Sequence, residues 1–199
     1  LIRNHAEAVV GDKGHSNINN MMGYNFRLGE IEAAIGIEQL KKLDHFVSLR
    51  QAQATKLAHG LKDLKGLRGP LFDQNSTNAF YIFPIVVDCH YLNTSRQVLV
   101  DALIAEGVQG LTNGYANIHL LPMFQQKIAY GSKGFPWNSD ICKRNVSYEK
   151  GICPIAEELH HESFIGFELC QYELNEKDIE AIIASFKKVW SCLSELEDK

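Results

Sequence analysis

Only one run of this chain has the composition of a full β-strand, which limits any sheet to a small one. Ala79–Asp88, AFYIFPIVVD, is rich in aromatic and β-branched residues, which suit a pleated, half-buried surface. Pro84 within it has no backbone N–H to give a neighbour, which predicts an edge strand or a bulge. Two shorter runs, VQGLT (108–112) and IGFELC (165–170), also read as strands. Three short strands make a thin layer, so the expected fold class is α+β, a short sheet of about three strands covered by helices on one face.

The helical segments are marked by periodicity and by their ends. In GYNFRLGEIEAAIGIEQLKKLD (23–44), Leu28, Ile31, Ile35, Leu40 and Leu43 recur near helical spacing. Its acidic residues come early and its lysines late, which complements the helix dipole. A second helix is expected from Asp44, as N-cap, to Leu64, before Gly66, Gly69 and Pro70 break the pattern. Ser95 opens a helix that reaches Glu106 and stops at Gly107. Pro154 opens another in CPIAEELHHESF. Asn175 and Asp178 resemble a capping box ahead of a last helix, whose Ile179, Ile182, Ile183, Phe186, Val189, Trp190 and Leu193 share one face. Residues 6–22 and 110–150 read as irregular, and a long irregular stretch in a compact domain is often functional.

Charge and cysteine usage exclude several classes. The net charge is −4 with both signs mixed, a poor match to a general binder of nucleic acid or of membrane surfaces. Apolar residues form 45% of the chain, enough for a core. Cys89, Cys142, Cys153, Cys170 and Cys192 are odd in number and form no C-x-x-C pair, so buried reduced thiols are expected rather than a disulfide framework. Cys153 with His160 and His161 fits no standard zinc spacing. No signal peptide is visible, and no apolar run approaches the roughly 20 residues a membrane span needs. The expected location is cytoplasmic, and the sequons at Asn75, Asn93 and Asn145 read as chance matches. The chain opens on LIRNH rather than Met, which points to an upstream part of a larger protein.

Few residues are specific from spacing alone. Asn25 and Arg27, in Tyr24-Asn25-Phe26-Arg27, stand before a helix, where free N–H groups and the dipole favour an anion. The plainer alternative is that Asn25 caps the helix and Arg27 makes a surface ion pair. His119 lies in the long irregular stretch, where a substrate contact competes with simple packing. Trp137 in GFPWNS is either a stacking platform for a ligand or an anchor for its loop.

The block GYNFRLGEIEAAIG (23–36), with RNH before it and FYIFPIVVD, IHLLPMFQQKIAYGSKGFPW and CPIAEELHHESF after it, resembles the DegT/StrS-type aminotransferases. These are pyridoxal 5'-phosphate (PLP) enzymes of the aspartate-aminotransferase fold (fold type I) that aminate ketosugars linked to nucleotides. The resemblance implies that residues 1–30 end the large PLP-binding domain and its active-site loop. Residues 31–199 would be the C-terminal small domain with its connecting helices. It also places the Schiff-base lysine, the aspartate facing the pyridine nitrogen and most of the phosphate cup upstream of this chain.

By motif match, Asn25 corresponds to an asparagine that reaches the PLP phosphate of a neighbouring subunit, with Arg27 supporting it. His5, Tyr24, Tyr115 and His119 correspond to substrate-side positions, although NGYANIHLLP departs from the commoner HYxPLHxxP pattern. The implied partners are a nucleotide sugar, an amino donor (usually glutamate) and a second copy in a homodimer, in cell-surface polysaccharide or amino-sugar biosynthesis. Two alternatives stay open: a sugar dehydratase of the same fold, in which histidine replaces the lysine, and a non-enzymatic module that binds nucleotide sugars.

Overall fold

The computed structural model describes residues 24–26, 28–73, 75–114 and 116–196. The elements run α1 (Glu30–Leu61), β1 (Leu67–Arg68), β2 (Phe83–Val87), α2 (Cys89–Leu92), α3 (Arg96–Ala105), β3 (Leu111–Thr112), α4 (Pro122–Gln125), α5 (Pro154–Glu158), β4 (Phe164–Phe167) and α6 (Glu176–Ser191). The chain divides into two compact units, Leu1–Phe46 and Val47–Lys199. Among the described residues no helix is long and apolar enough to cross a membrane.

The break expected at Asp44 is absent, because α1 runs through it as one helix of 32 residues. The nearest glycines in α1 are Gly36 and Gly60, and no proline intervenes. An exposed internal aspartate costs a helix only about 0.7 kcal/mol, too little to end it. The two ends of α1 differ in environment. In the first unit Ile31, Ile35, Leu40 and Leu43 are all exposed, Ile31 by 76%. In the second unit Ala54, Leu57 and Leu61 are buried at helical spacing.

The second unit holds a four-stranded antiparallel sheet in the order β1-β2-β4-β3. The additional strand, β1, is only two residues long and leaves no periodic trace in the sequence. Phe83 faces Phe167 and Ile85 faces Ile165 across β2 and β4. Those four side chains are buried with Leu99 and Leu103 of α3, Leu57 and Leu61 of α1, and Ile179, Ile183, Phe186 and Val189 of α6. Burial at about 25 cal/mol per Å² of apolar surface makes this cluster the main stabilising term of the unit.

β2 is an inner strand, not the edge strand that Pro84 predicts. The Asp88 N–H donates to the Gly66 carbonyl on the β1 side. The two-residue period of a strand then turns the Pro84 nitrogen to that same side. β1 pairs only with Val86 and Val87, so it ends before a Pro84 N–H would be required. The proline sits at a locally open edge of an inner strand.

Local signals set the remaining ends. The Ser95 side chain accepts from the Val98 N–H and caps α3. The Asn175 side chain accepts from Lys177 and Asp178 while the Asp178 side chain accepts from the Asn175 N–H, completing the capping box of α6. Gly60 lets α6 approach α1, since a Cβ there would meet Ile183 at 2.5 Å.

Candidate functional site

Glu157 organises the irregular stretch ahead of α5. It is buried on the first turn of a helix that Pro154 opens. Its two carboxylate oxygens accept the Gly151 N–H at 2.8 and 2.9 Å, and Oε1 also accepts the Cys153 N–H at 3.3 Å. His119, in the turn Ile118–Leu120, places Nε2 2.8 Å from Oε1. Burial pushes the Glu157 carboxyl up, but the Gly151 N–H, then the His119 ring and the Cys153 N–H, outweigh it and hold the group below its ordinary value of 4.5. An ionised carboxylate only accepts, so Nε2 carries the proton of the neutral ring and Nδ1 is its accepting nitrogen. The Gln125 side chain donates to the His119 carbonyl at 2.7 Å and fixes the same turn. The side-chain nitrogen of Asn117 is buried there with no partner among the described residues.

Trp137 is the anchor of its loop. Its Nε1–H donates to the Tyr148 hydroxyl at 3.0 Å, and its ring meets Phe124 and Tyr148 edge-on. This aromatic trio ties α4 to residues 137 and 148 where no regular element does so.

Of the remaining candidates, Tyr24 and Asn25 belong to the first unit. Tyr24 and Phe26 stack at 5.1 Å, and both are exposed. Such i, i+2 contact leaves Asn25 on the opposite side of the chain. α1 begins at Glu30, so Asn25 is neither its N-cap nor in its first turn, and the helix-entrance argument for an anion does not apply there. His5, Arg27 and Tyr115 lie outside the described residues. The thiols are all free but none is fully buried, and Cys153 and Cys170 are exposed. Burial pushes the Cys89 thiol up, which lowers its thiolate fraction near neutral pH. Among the described residues no group of three His, Cys, Asp or Glu side chains is placed to hold a metal.

A covalent cofactor lysine needs burial or a neighbouring cation to lower its pKa. No described lysine is buried. Lys56 and Lys188 are pushed the other way, upward, by hydrogen bonds to Glu180 and Glu106.

The model of the DegT/DnrJ/EryC1/StrS aminotransferase family matches residues 1–164. The chain belongs to this family. Among its relatives, the spore coat polysaccharide biosynthesis protein SpsC of Bacillus subtilis is 26% identical over 125 residues, 63% of this chain and 32% of that protein. The dTDP-4-dehydro-2,6-dideoxy-D-glucose 3-dehydratase of Saccharopolyspora spinosa is 29% identical over 120 residues, 60% of this chain and 26% of that one. Helicobacter pylori PseC, an aminotransferase involved in the biosynthesis of pseudoaminic acid, shares the fold with a TM-score of 0.64 at 20% identity, over 96% of this chain and 44% of that one. The chain thus spans between about a quarter and two fifths of the curated relatives it matches and under half of that solved chain. Its mixed architecture of helices and a small antiparallel sheet is shared with aminotransferases of PLP fold type I, as the resemblance implied.

Sequence reasoning singled out His119 but missed Glu157. The available signal was a carboxylate just inside a proline-opened helix, six residues after Gly151. Nothing in the sequence joins it to a histidine 38 residues away.

Proposed function

We propose that this chain is the substrate-positioning C-terminal part of an enzyme that transfers an amino group to a ketosugar linked to a nucleotide, with glutamate as donor and PLP as cofactor. The match of the family model over residues 1–164 carries this reading. PLP and its lysine belong to an upstream segment, and residues 1–30 close the large domain. Asn25 and Arg27 serve the cofactor phosphate of the partner subunit in a homodimer, and His5, Tyr24, Tyr115 and His119 face the sugar nucleotide. Glu157 holds the His119 turn in place and fixes which ring nitrogen carries the proton.

The chain is catalytically incomplete alone. PLP added to the purified chain, followed by borohydride reduction and mass analysis, is expected to give no stoichiometric adduct at any single lysine. One adduct per chain at one lysine would overturn the incomplete-chain reading. The relative named as a 3-dehydratase favours a second reading, elimination of water from the sugar. In the longer protein, histidine in place of the covalent lysine, with loss of water and no amine transfer, would establish it.

A further inference from the structure

We propose that a basic cleft in the irregular stretch, formed by Lys127, Lys143 and Arg144, holds the diphosphate of a nucleotide. The cleft has a volume of about 450 Å³ and is lined by these three cations, the wall of Trp137 and the amides of Asn138 and Asn145. No carboxylate lines it. Among the described residues none of the three cations is in an ion pair. Residues 110–150 carry five Lys and Arg against two Asp and Glu, while the whole chain is net −4. Positive charge is therefore gathered where the fold has a cavity, and low-dielectric walls raise its effect on an anion.

The backbone adds an independent sign. Three helices end in the same motif, with an N–H two residues past the cap bonding back five residues and the N–H before it bonding back three. The pairs are Thr94 to Cys89 and Asn93 to His90, Val108 to Leu103 and Gly107 to Ile104, and Ile128 to Met123 and Lys127 to Phe124. This motif demands a left-handed residue, which favours Gly and tolerates Asn. Gly107 and Asn93 meet that demand, but at the end of α4 the residue is Lys127, at φ +52°. A lysine held where glycine is favoured points to work for its side chain, and that side chain lines the cleft.

A compact anion of two or three charges matches three cations that line one open cleft. Trp137, locked by Tyr148, offers a fixed apolar wall beside it. The preference for an anion rests on the cleft alone, whereas the choice of a nucleotide rests on the function proposed above.

Calorimetric titration of the chain with UDP, GDP, dTDP and inorganic pyrophosphate tests the proposal. Saturable 1:1 binding of a nucleoside diphosphate is expected, weakened at least tenfold in the K143Q/R144Q variant. K127G is expected to weaken binding while its melting temperature stays level or rises, a split that a merely structural lysine would not show. Absence of saturable binding in the folded chain, or the same Kd in K143Q/R144Q, would overturn the proposal. Pyrophosphate binding as tightly as every nucleotide would overturn the nucleotide assignment, with an adventitious anion only in the cleft. The two readings fail separately. Amine transfer by the longer protein with an unchanged KM for the nucleotide sugar in K143Q/R144Q would sink the cleft alone. Diphosphate binding through these cations in a protein that transfers no amine would sink the function alone.

Discussion

At the scale of single residues, Glu157 is the position on which the irregular stretch depends. Four hydrogen-bond contacts converge on its carboxylate, from Gly151 to both oxygens, from Cys153 and from His119. Because the folded carboxyl titrates below its ordinary 4.5, its stabilisation is fully present above that value and is lost as pH falls through the lower folded value. The E157Q variant is therefore expected to melt below the wild type at pH 7, with the gap closing toward pH 3. Melting curves across that range check it, and a gap independent of pH would show that the charge is not what holds the turn. This residue also marks a limit of sequence reading. His119 is conspicuous in a Gly- and Pro-rich stretch, but a pair closed across 38 residues leaves no periodic trace. The Lys127 site is hidden for a similar reason, since only the hydrogen bonds after α4 reveal that its lysine occupies a glycine position.

At the scale of elements, legibility follows how local each determinant is. Ser95, Gly107 and the Asn175–Asp178 box act within one turn, and each stands where the sequence placed it. Asp44 fails as a cap because a capping side chain competes with the whole helix around it, and nothing nearby ends α1. Pro84 fails as an edge marker because what matters is the side its nitrogen faces and where the neighbour stops, which are properties of pairing. β4 shows the same dependence on neighbours. Gly166 lies between Pro84 of β2 and Thr112 of β3. A Cβ there would meet Ile82 Cγ2 at 2.9 Å and Thr112 Cγ2 at 3.0 Å. Both are short branched side chains that cannot swing away, so Gly166→Ala is expected to destabilise the second unit by about 1–3 kcal/mol. Urea denaturation gives the value, and a change below about 0.5 kcal/mol would mean that the sheet yields at this point.

At the scale of the whole molecule, the open question is what covers the first half of α1. Leu28, Ile31, Ile35, Leu40 and Leu43 are legible as an apolar helical pattern, but periodicity shows only that a helix has an apolar face and never names the partner. In the first unit those five are at least 50% exposed. A contiguous apolar stripe of this kind is costly in water and promotes association. A second copy is the occupant that the proposed homodimer requires. Ile31→Glu with Ile35→Glu places charge on the stripe at positions that are 76% and 58% exposed. Neither belongs to the buried core cluster, so thermal unfolding of the second unit is expected to shift by no more than about 0.5 kcal/mol. Sedimentation velocity over a concentration series is expected to show weaker self-association than the parent chain. An unchanged association constant would remove the second copy as the cover of this stripe. A collapse of the second unit's unfolding transition would mean that these isoleucines are buried against it, and that the stripe is part of this chain's own core.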